Sequence, residues 1–279
     1  MVTVDTLGMS TTLTFAVCYA EGSGDSSDTT WADSGIRLTV SKVTSVEYGE
    51  AHSSLPVRTW RSTNILPAIN RLPQVAGAVI TYTGDLGNGQ YVSVVDVSAN
   101  SYNPCVAGAQ AAHAADGTHS GAQQAAGSSK AVTIPQSTLL QDDTTYTVCY
   151  AAGSGDSSDT TWRDSYVRLK ISKIESLAAH MVTHYTDGQI ARVGGTYQSW
   201  DGSAYQTVDV ADLELTYSGS LSQAMWVSLV DQTLNSMQPC DSASEAAGSA
   251  GVAYSGPSQA AGGSKVVTVD TLGMSTTLI

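Results

Sequence analysis

The sequence predicts an all-β protein built from two tandem β-sandwich modules plus the leading strand of a third. Short runs of residues alternate apolar and polar with a period of two, as half-buried strands do. Gly-, Ser- and Asp-rich turns separate these runs, and no segment carries a sustained apolar stripe at helical spacing with caps, so helices are expected to be short. The chain also repeats itself, so the two halves are expected to share one fold.

The repeat organises the elements. TFAVCYAEGSGDSSDTTWADSGIRLTVSKV, starting at Thr14, matches YTVCYAAGSGDSSDTTWRDSYVRLKISKI, with Cys18 falling on Cys149 and Trp31 on Trp162. TYTGDLGNGQYVSVVDVSANSYNPC, ending at Cys105, matches TYSGSLSQAMWVSLVDQTLNSMQPC, ending at Cys240, and AAGSSKAVTIP matches AAGGSKVVTVD. The expected division is a first module over 1–130, a second over 131–265, and the first strand of the next repeat, or a donated strand, over 266–279. In residues 11–20, Leu13, Phe15, Val17 and Tyr19 share one face, and Thr12, Thr14, Ala16 and Cys18 the other. Ile36, Leu38 and Val40 alternate with Arg37, Thr39 and Ser41 in the next strand, and residues 91–97 and 226–230 supply later ones. Residues 47–75 and 178–210 do not align; they hold Trp60, Trp200, Pro56, Pro67 and Pro73, and read either as surface loops or as aromatic contacts between neighbouring modules. Residues 106–129 and 241–264 are Ala/Gly/Ser-rich and read as extended covers or linkers. VTVDTLGMSTTL at residues 2–13 returns unchanged at 267–278, where a third module would begin.

Composition excludes several functions. The 279 residues carry 12 Lys+Arg against 25 Asp+Glu, a net charge of −13, with 13% charged residues. Such an acidic chain without a basic cluster is a poor partner for nucleic acid or anionic membrane. No apolar run is long enough to span a bilayer, and the first twenty residues alternate instead of forming a basic end and an apolar core, so no signal peptide is expected in this piece. Ser and Thr make up roughly a quarter of the chain, leaving a surface of hydroxyls that attached sugar, or burial against copies of itself, would keep soluble. No Asn-x-Ser/Thr acceptor occurs, so any glycan is expected on Ser or Thr.

Each module holds two cysteines, and pairing within each module, Cys18 with Cys105 and Cys149 with Cys240, is the economical choice among three connectivities. Each bond would close a loop of about ninety residues, worth on the order of 4 kcal/mol in the chain-entropy description. Disulfides imply an oxidising, extracellular setting. Cys18 and Cys149 share a strand face with Thr and Ala, so the bond is expected to pin the segment after Pro104 or Pro239 onto the sheet.

The turn GSGDSSDTTW occurs twice. Asp25, Asp28, Asp156 and Asp159 are candidate Ca²⁺ ligands with neighbouring hydroxyl and carbonyl oxygens, although Asp and Ser also build such turns by bonding their own backbone. No other cofactor is expected. Ser26, Ser27, Thr29, Thr30, Ser157, Ser158, Thr160 and Thr161 are O-glycan candidates. Trp31 and Trp162 read as core residues, and Asp33 with Arg37, like Asp164 with Arg168, as ion pairs or solvated charges. His52, His113, His119, His180 and His184 all lie outside the matched blocks, and Met181 stands where a zinc protease needs Glu. With no phosphate-binding loop and no nucleophile motif, catalytic residues are not expected and the protein is read as no enzyme.

With the VCYA, GSGDSSDTTW, DSxxRLxxSK and AAGxSK blocks repeated in this way, the chain resembles tandem immunoglobulin-like modules of large secreted, fibre-forming or cell-surface proteins. The resemblance implies a structural role: modules stacked end to end into an extracellular filament, pilus-like, mastigoneme-like or adhesive, with glycans attached to the surface. Self is then the partner, either as further copies or as neighbouring repeats. The contact strand is expected at Val2, Val4 and Leu7, and at Val267, Val269, Leu272 and Leu278, pairing edges that would otherwise be exposed. The alternative is a Ca²⁺- or glycan-binding adhesin module.

Overall fold

The computed structural model describes residues 3–48, 58–61, 70–136, 140–185, 189–193, 196–200, 202–209 and 212–276. Among them strands dominate and helices are single turns, as the sequence predicts. The described chain divides into two compact units, one formed by residues up to 171 apart from 73–75, the other by 172–276 together with 73–75. The expected break at 130/131 is therefore displaced by about forty residues: the first unit takes in the opening strands of the second sequence module.

In the first unit the strands are β1 (Thr14–Tyr19), β2 (Ala32–Thr39), β3 (Val43–Tyr48), β4 (Arg58–Arg61), β5 (Arg71–Pro73), β6 (Ala78–Gly84), β7 (Tyr91–Asp96), β8 (Gln123–Gln124), β9 (Ala131–Ile134), β10 (Thr145–Ala151) and β11 (Arg163–Ser172). They form a sheet of order β4-β3-β6-β9, a sheet of order β5-β11-β10-β7-β8, and the separate hairpin β1-β2. Alternation explains the first sheet: Ala78, Ile80 and Tyr82 are buried while Val79 between them is exposed. β10 differs, because both its faces are covered. Tyr146, Val148 and Tyr150 lie on one face; on the other, small Cys149 and Ala151 pack with Val95, Cys105, Ala111 and Trp162 beneath the Ala/Gly/Ser-rich segment. The left-handed turn α1 (Ala99–Tyr102), with φ of 49°, 56° and 64° at Asn100, Ser101 and Tyr102, precedes that segment, and the single helical turn α2 (Gly108–Ala111) lies in it.

The second unit holds β12 (Leu177–Ala179), β13 (Val182–His184), β14 (Thr196–Trp200), β15 (Tyr205–Asp209), β16 (Leu213–Tyr217), β17 (Trp226–Val227), β18 (Ser258–Gln259) and β19 (Val266–Val269), with the turns α3 (Leu234–Met237) and α4 (Ala243–Ala246). β13-β12-β16-β19 form one sheet, and β14-β15 and β17-β18 stand as pairs. Leu213, Leu215, Tyr217, Val267 and Val269 make its core.

Both units turn the same corner. Gly84 and Gly219 adopt φ of 114° and 107°, and a β-carbon there would lie 2.3 Å from the Lys42 carbonyl oxygen or 2.4 Å from that of Lys173. Lys130 and Lys265 donate to the Gly84 and Gly219 carbonyls at 2.7 Å, and the Tyr82 and Tyr217 hydroxyls donate to Gly87 and Ser222 at 2.6 Å. Trp60 and Trp200 stand on β4 and β14; Pro56, Pro67 and His52 lie outside the described residues.

The leading strand is corrected. Residues 3–13 form turns with Val4 and Leu7 exposed, while the returning copy enters β19 and pairs with β16 of its own unit. Val267 and Val269 are fully buried there, so this strand is paired within its own unit in this structure; Leu272 is exposed, and Val2 and Leu278 lie outside the described residues.

Candidate functional site: two open half-sheets

The disulfide joins Cys105 to Cys149, with Cα atoms 5.3 Å apart, and Cys18 and Cys240 are free and exposed. The pairing expected within each sequence module, Cys18 with Cys105 and Cys149 with Cys240, is thereby overturned. The physical reason is strand pairing: β7 and β8 come from the first sequence module and β10 and β11 from the second, and both pairs enter one sheet. In its register Tyr146 faces Asp96, Val148 faces Val94, Cys149 faces Ser93, and Ala151 faces Tyr91. The bond still pins the segment after Pro104 onto the sheet, as expected, but onto the strand of the following module.

The duplication supplies another β10-β11 and another β7-β8. The first is β1-β2, whose register reproduces that of β10-β11, including the bulge between Ala16 and Cys18 that answers the one between Thr147 and Cys149. The second is β17-β18, in which Trp226 faces Gln259 as Tyr91 faces Gln124. Among the described residues, β1 has no neighbour besides β2, and β17 none besides β18.

Burial measures what is unfilled. Trp162 is 0% exposed and Trp31 49%; Leu169 is 0% and Leu38 54%; Tyr150 is 1% and Tyr19 49%. Trp226, the counterpart of partly buried Tyr91, is 61% exposed. Beside β17 lies an open recess of about 430 Å³ lined by Trp226, Val227, Ser228, Ala246, Ala247 and Pro257. Their counterparts Tyr91, Ala111, Ala112 and Ala122 belong to the cluster that holds Trp162. Among the described residues the Ser228 hydroxyl is buried without a partner, whereas Ser93 donates to the Ala111 carbonyl at 2.5 Å.

The acidic turns are built by their own hydrogen bonds. Asp28 accepts from Gly24 N–H at 2.7 Å and from Thr30 N–H and Oγ at 2.8 and 2.6 Å; Asp159 repeats this with Gly155 and Thr161. Asp25 and Asp156 accept from the hydroxyl and N–H of Ser27 and Ser158. These bonds hold Asp25, Asp28 and Asp156 below the usual carboxylate range; burial opposes the same bonds at Asp159, and they prevail. The indoles of Trp31 and Trp162 donate to the Asp25 and Asp156 carbonyls at 3.0 Å, closing each turn over a ring. All eight O-glycan candidates are exposed, and the hydroxyls of Ser27, Thr30, Ser158 and Thr161 donate to the carboxylates. Asp33–Arg37 at 2.6 Å and Asp164–Arg168 at 2.8 Å are ion pairs, the latter mostly buried.

One cluster escaped the sequence reading. His113, Asp116 and His119 bring ligand atoms within 4.8 Å of one another, with imidazole centroids 4.5 Å apart. Spacing of i, i+3, i+6 is its only sequence signal, weak in a loop. Asp116 Oδ1 accepts from Thr118 N–H and Oγ, His119 N–H and the His119 ring, a set that folds the loop back on itself. Burial raises the Asp116 carboxyl, but these bonds outweigh it and draw it down to about 2. Gly248, Gly251 and Tyr254 occupy the matching places in the second copy, so the cluster is not part of the repeat. His180, exposed, and Met181 form the turn between β12 and β13 with φ of 50° and 65°.

Among the described residues no helix is long and apolar enough to cross a membrane. No protein-family model, curated protein or solved structure matches the chain.

Proposed function

We propose that this protein is a structural subunit of an extracellular filament assembled from end-to-end β-sandwich modules of immunoglobulin-like kind, its hydroxyl-rich turns carrying O-glycans. The observation that supports this reading most directly is the contrast between copies: two closely matching sequences are covered as β10-β11 and bare as β1-β2. Two exposed half-sheets of this type, apolar and with open edges, are what serial assembly fills. The two half-sheets differ, so a contact between them is heterologous and propagates without closing. Cys105–Cys149 agrees with an oxidising compartment.

Electron microscopy of the oxidised protein tests the proposal. The expected result is filaments with an axial repeat of roughly 40–80 Å, one or two modules if strands of some ten residues run along the axis. Discrete particles at all concentrations, including tens of micromolar, would overturn it.

A further inference from the structure

Resting on that reading, we infer that the two open half-sheets fit each other: β1-β2 of a second copy docks on β17-β18, and Cys18 of one copy forms a disulfide with Cys240 of the next. The structure already contains this joint once, as β10 on β7 with Cys149 bonded to Cys105. Carrying that register across the duplication sets Phe15 opposite Asp231, Val17 opposite Leu229, Cys18 opposite Ser228, Tyr19 opposite Val227 and Ala20 opposite Trp226.

Three features receive the incoming hairpin. The open recess beside β17 is bounded by the counterparts of residues packed with Trp162, so its occupant is Trp31, which stands about half exposed on the hairpin. Gly155 lies under the Tyr91 ring, where a β-carbon would come within 2.1 Å of ring carbon; Gly24 has the same left-handed backbone with nothing within 4 Å, leaving space that Trp226 fills. The orphaned Ser228 hydroxyl gains the Ala246 carbonyl once the covering segment closes over the filled sheet, as Ser93 holds that of Ala111. One position adjusts. Ala243 stands where Gly108 does, and a β-carbon there lies 2.5 Å from the Ser157 carbonyl oxygen, so the Ser26 turn draws back.

The bond forms by thiol–disulfide exchange. The Cys240 thiolate attacks one sulfur of oxidised glutathione and releases one glutathione thiolate. The Cys18 thiolate then attacks the mixed disulfide and releases the second. Two protein thiols lose two protons and two electrons, and one glutathione disulfide is reduced to two thiols.

The test uses the 279-residue chain, mixed as equal parts of ¹⁴N- and ¹⁵N-labelled protein in a glutathione redox buffer. Non-reducing electrophoresis and peptide mass spectrometry follow. The expected result is a ladder of multimers and a Cys18–Cys240 peptide pair whose halves carry different labels in about half of the molecules. Cys18–Cys240 joined only within single chains, or a random mixture with Cys18–Cys18 and Cys240–Cys240, would overturn the inference. Trp31→Ala leaves both thiols exposed and is expected to lower the hybrid yield at least tenfold, whereas Ala243→Gly is expected to raise it; unchanged yields in both would mean chance encounter of thiols and would also overturn it. Filaments seen without the hybrid peptide would remove this joint and leave the filament reading standing, while neither filaments nor hybrid peptide would remove both.

Discussion

At the scale of residues, the duplicated turns show how little sequence is needed to fix local geometry. Asp25 and Asp28 behave as Asp156 and Asp159 do, bonding the same backbone positions two and four residues away, although one pair belongs to a bare hairpin and the other to a covered one. Such bonds are local and indifferent to burial, and for that reason they were legible in GSGDSSDTTW. Asp116 gives a pH test. Its pKa is depressed to about 2 in the fold, so the stability it lends is complete above the unfolded value near 4 and is lost as pH falls toward 2. With its side chain 43% exposed, a discounted ~1 kcal/mol is the expected loss for Asp116→Asn at pH 7. Urea titrations of both proteins should therefore differ at pH 7 and converge near pH 2; a gap independent of pH would show that the charge contributes nothing.

At the scale of elements, the corner at Gly84 and Gly219 is the device that both units share. A β-carbon at either position meets a backbone carbonyl within 2.4 Å, and backbone cannot swing aside as a flexible side chain does. Gly84→Ala and Gly219→Ala are each expected to cost more than about 2 kcal/mol, by strain at positive φ and displacement of the Lys42 or Lys173 segment. Melting curves check this, and a loss below about 0.5 kcal/mol in either would contradict the geometry. Alternation disclosed the strand β1, where Phe15, Val17 and Tyr19 alternate with Thr14, Ala16 and Cys18. It was silent on β10, whose second face is covered by a segment that reads as low complexity; no periodicity in Thr147, Cys149 and Ala151 announces a lid.

At the scale of the whole molecule, the sequence repeat and the folded unit are out of phase, and among the described residues β1-β2 and β17-β18 lack the strand neighbours that their counterparts have. Hydrogen exchange makes the offset measurable. In dilute reduced protein the amides of β1-β2 are expected to exchange at least a hundredfold faster than those of β10-β11, because the same hairpin lacks cover. In oxidised, assembled protein the gap should shrink; equal protection of both hairpins in the monomer would deny that β1-β2 is open. What the sequence determined by itself is the all-β class, the duplication, the turn chemistry and the equivalence of Cys18 with Cys149 and of Cys105 with Cys240, because each rests on local pattern or on comparison of the chain with itself. Which cysteine bonds to which, and where one unit ends, only the tertiary structure decided. Both depend on β10 choosing β7 as its neighbour, a pairing of strands some fifty residues apart that no local preference encodes.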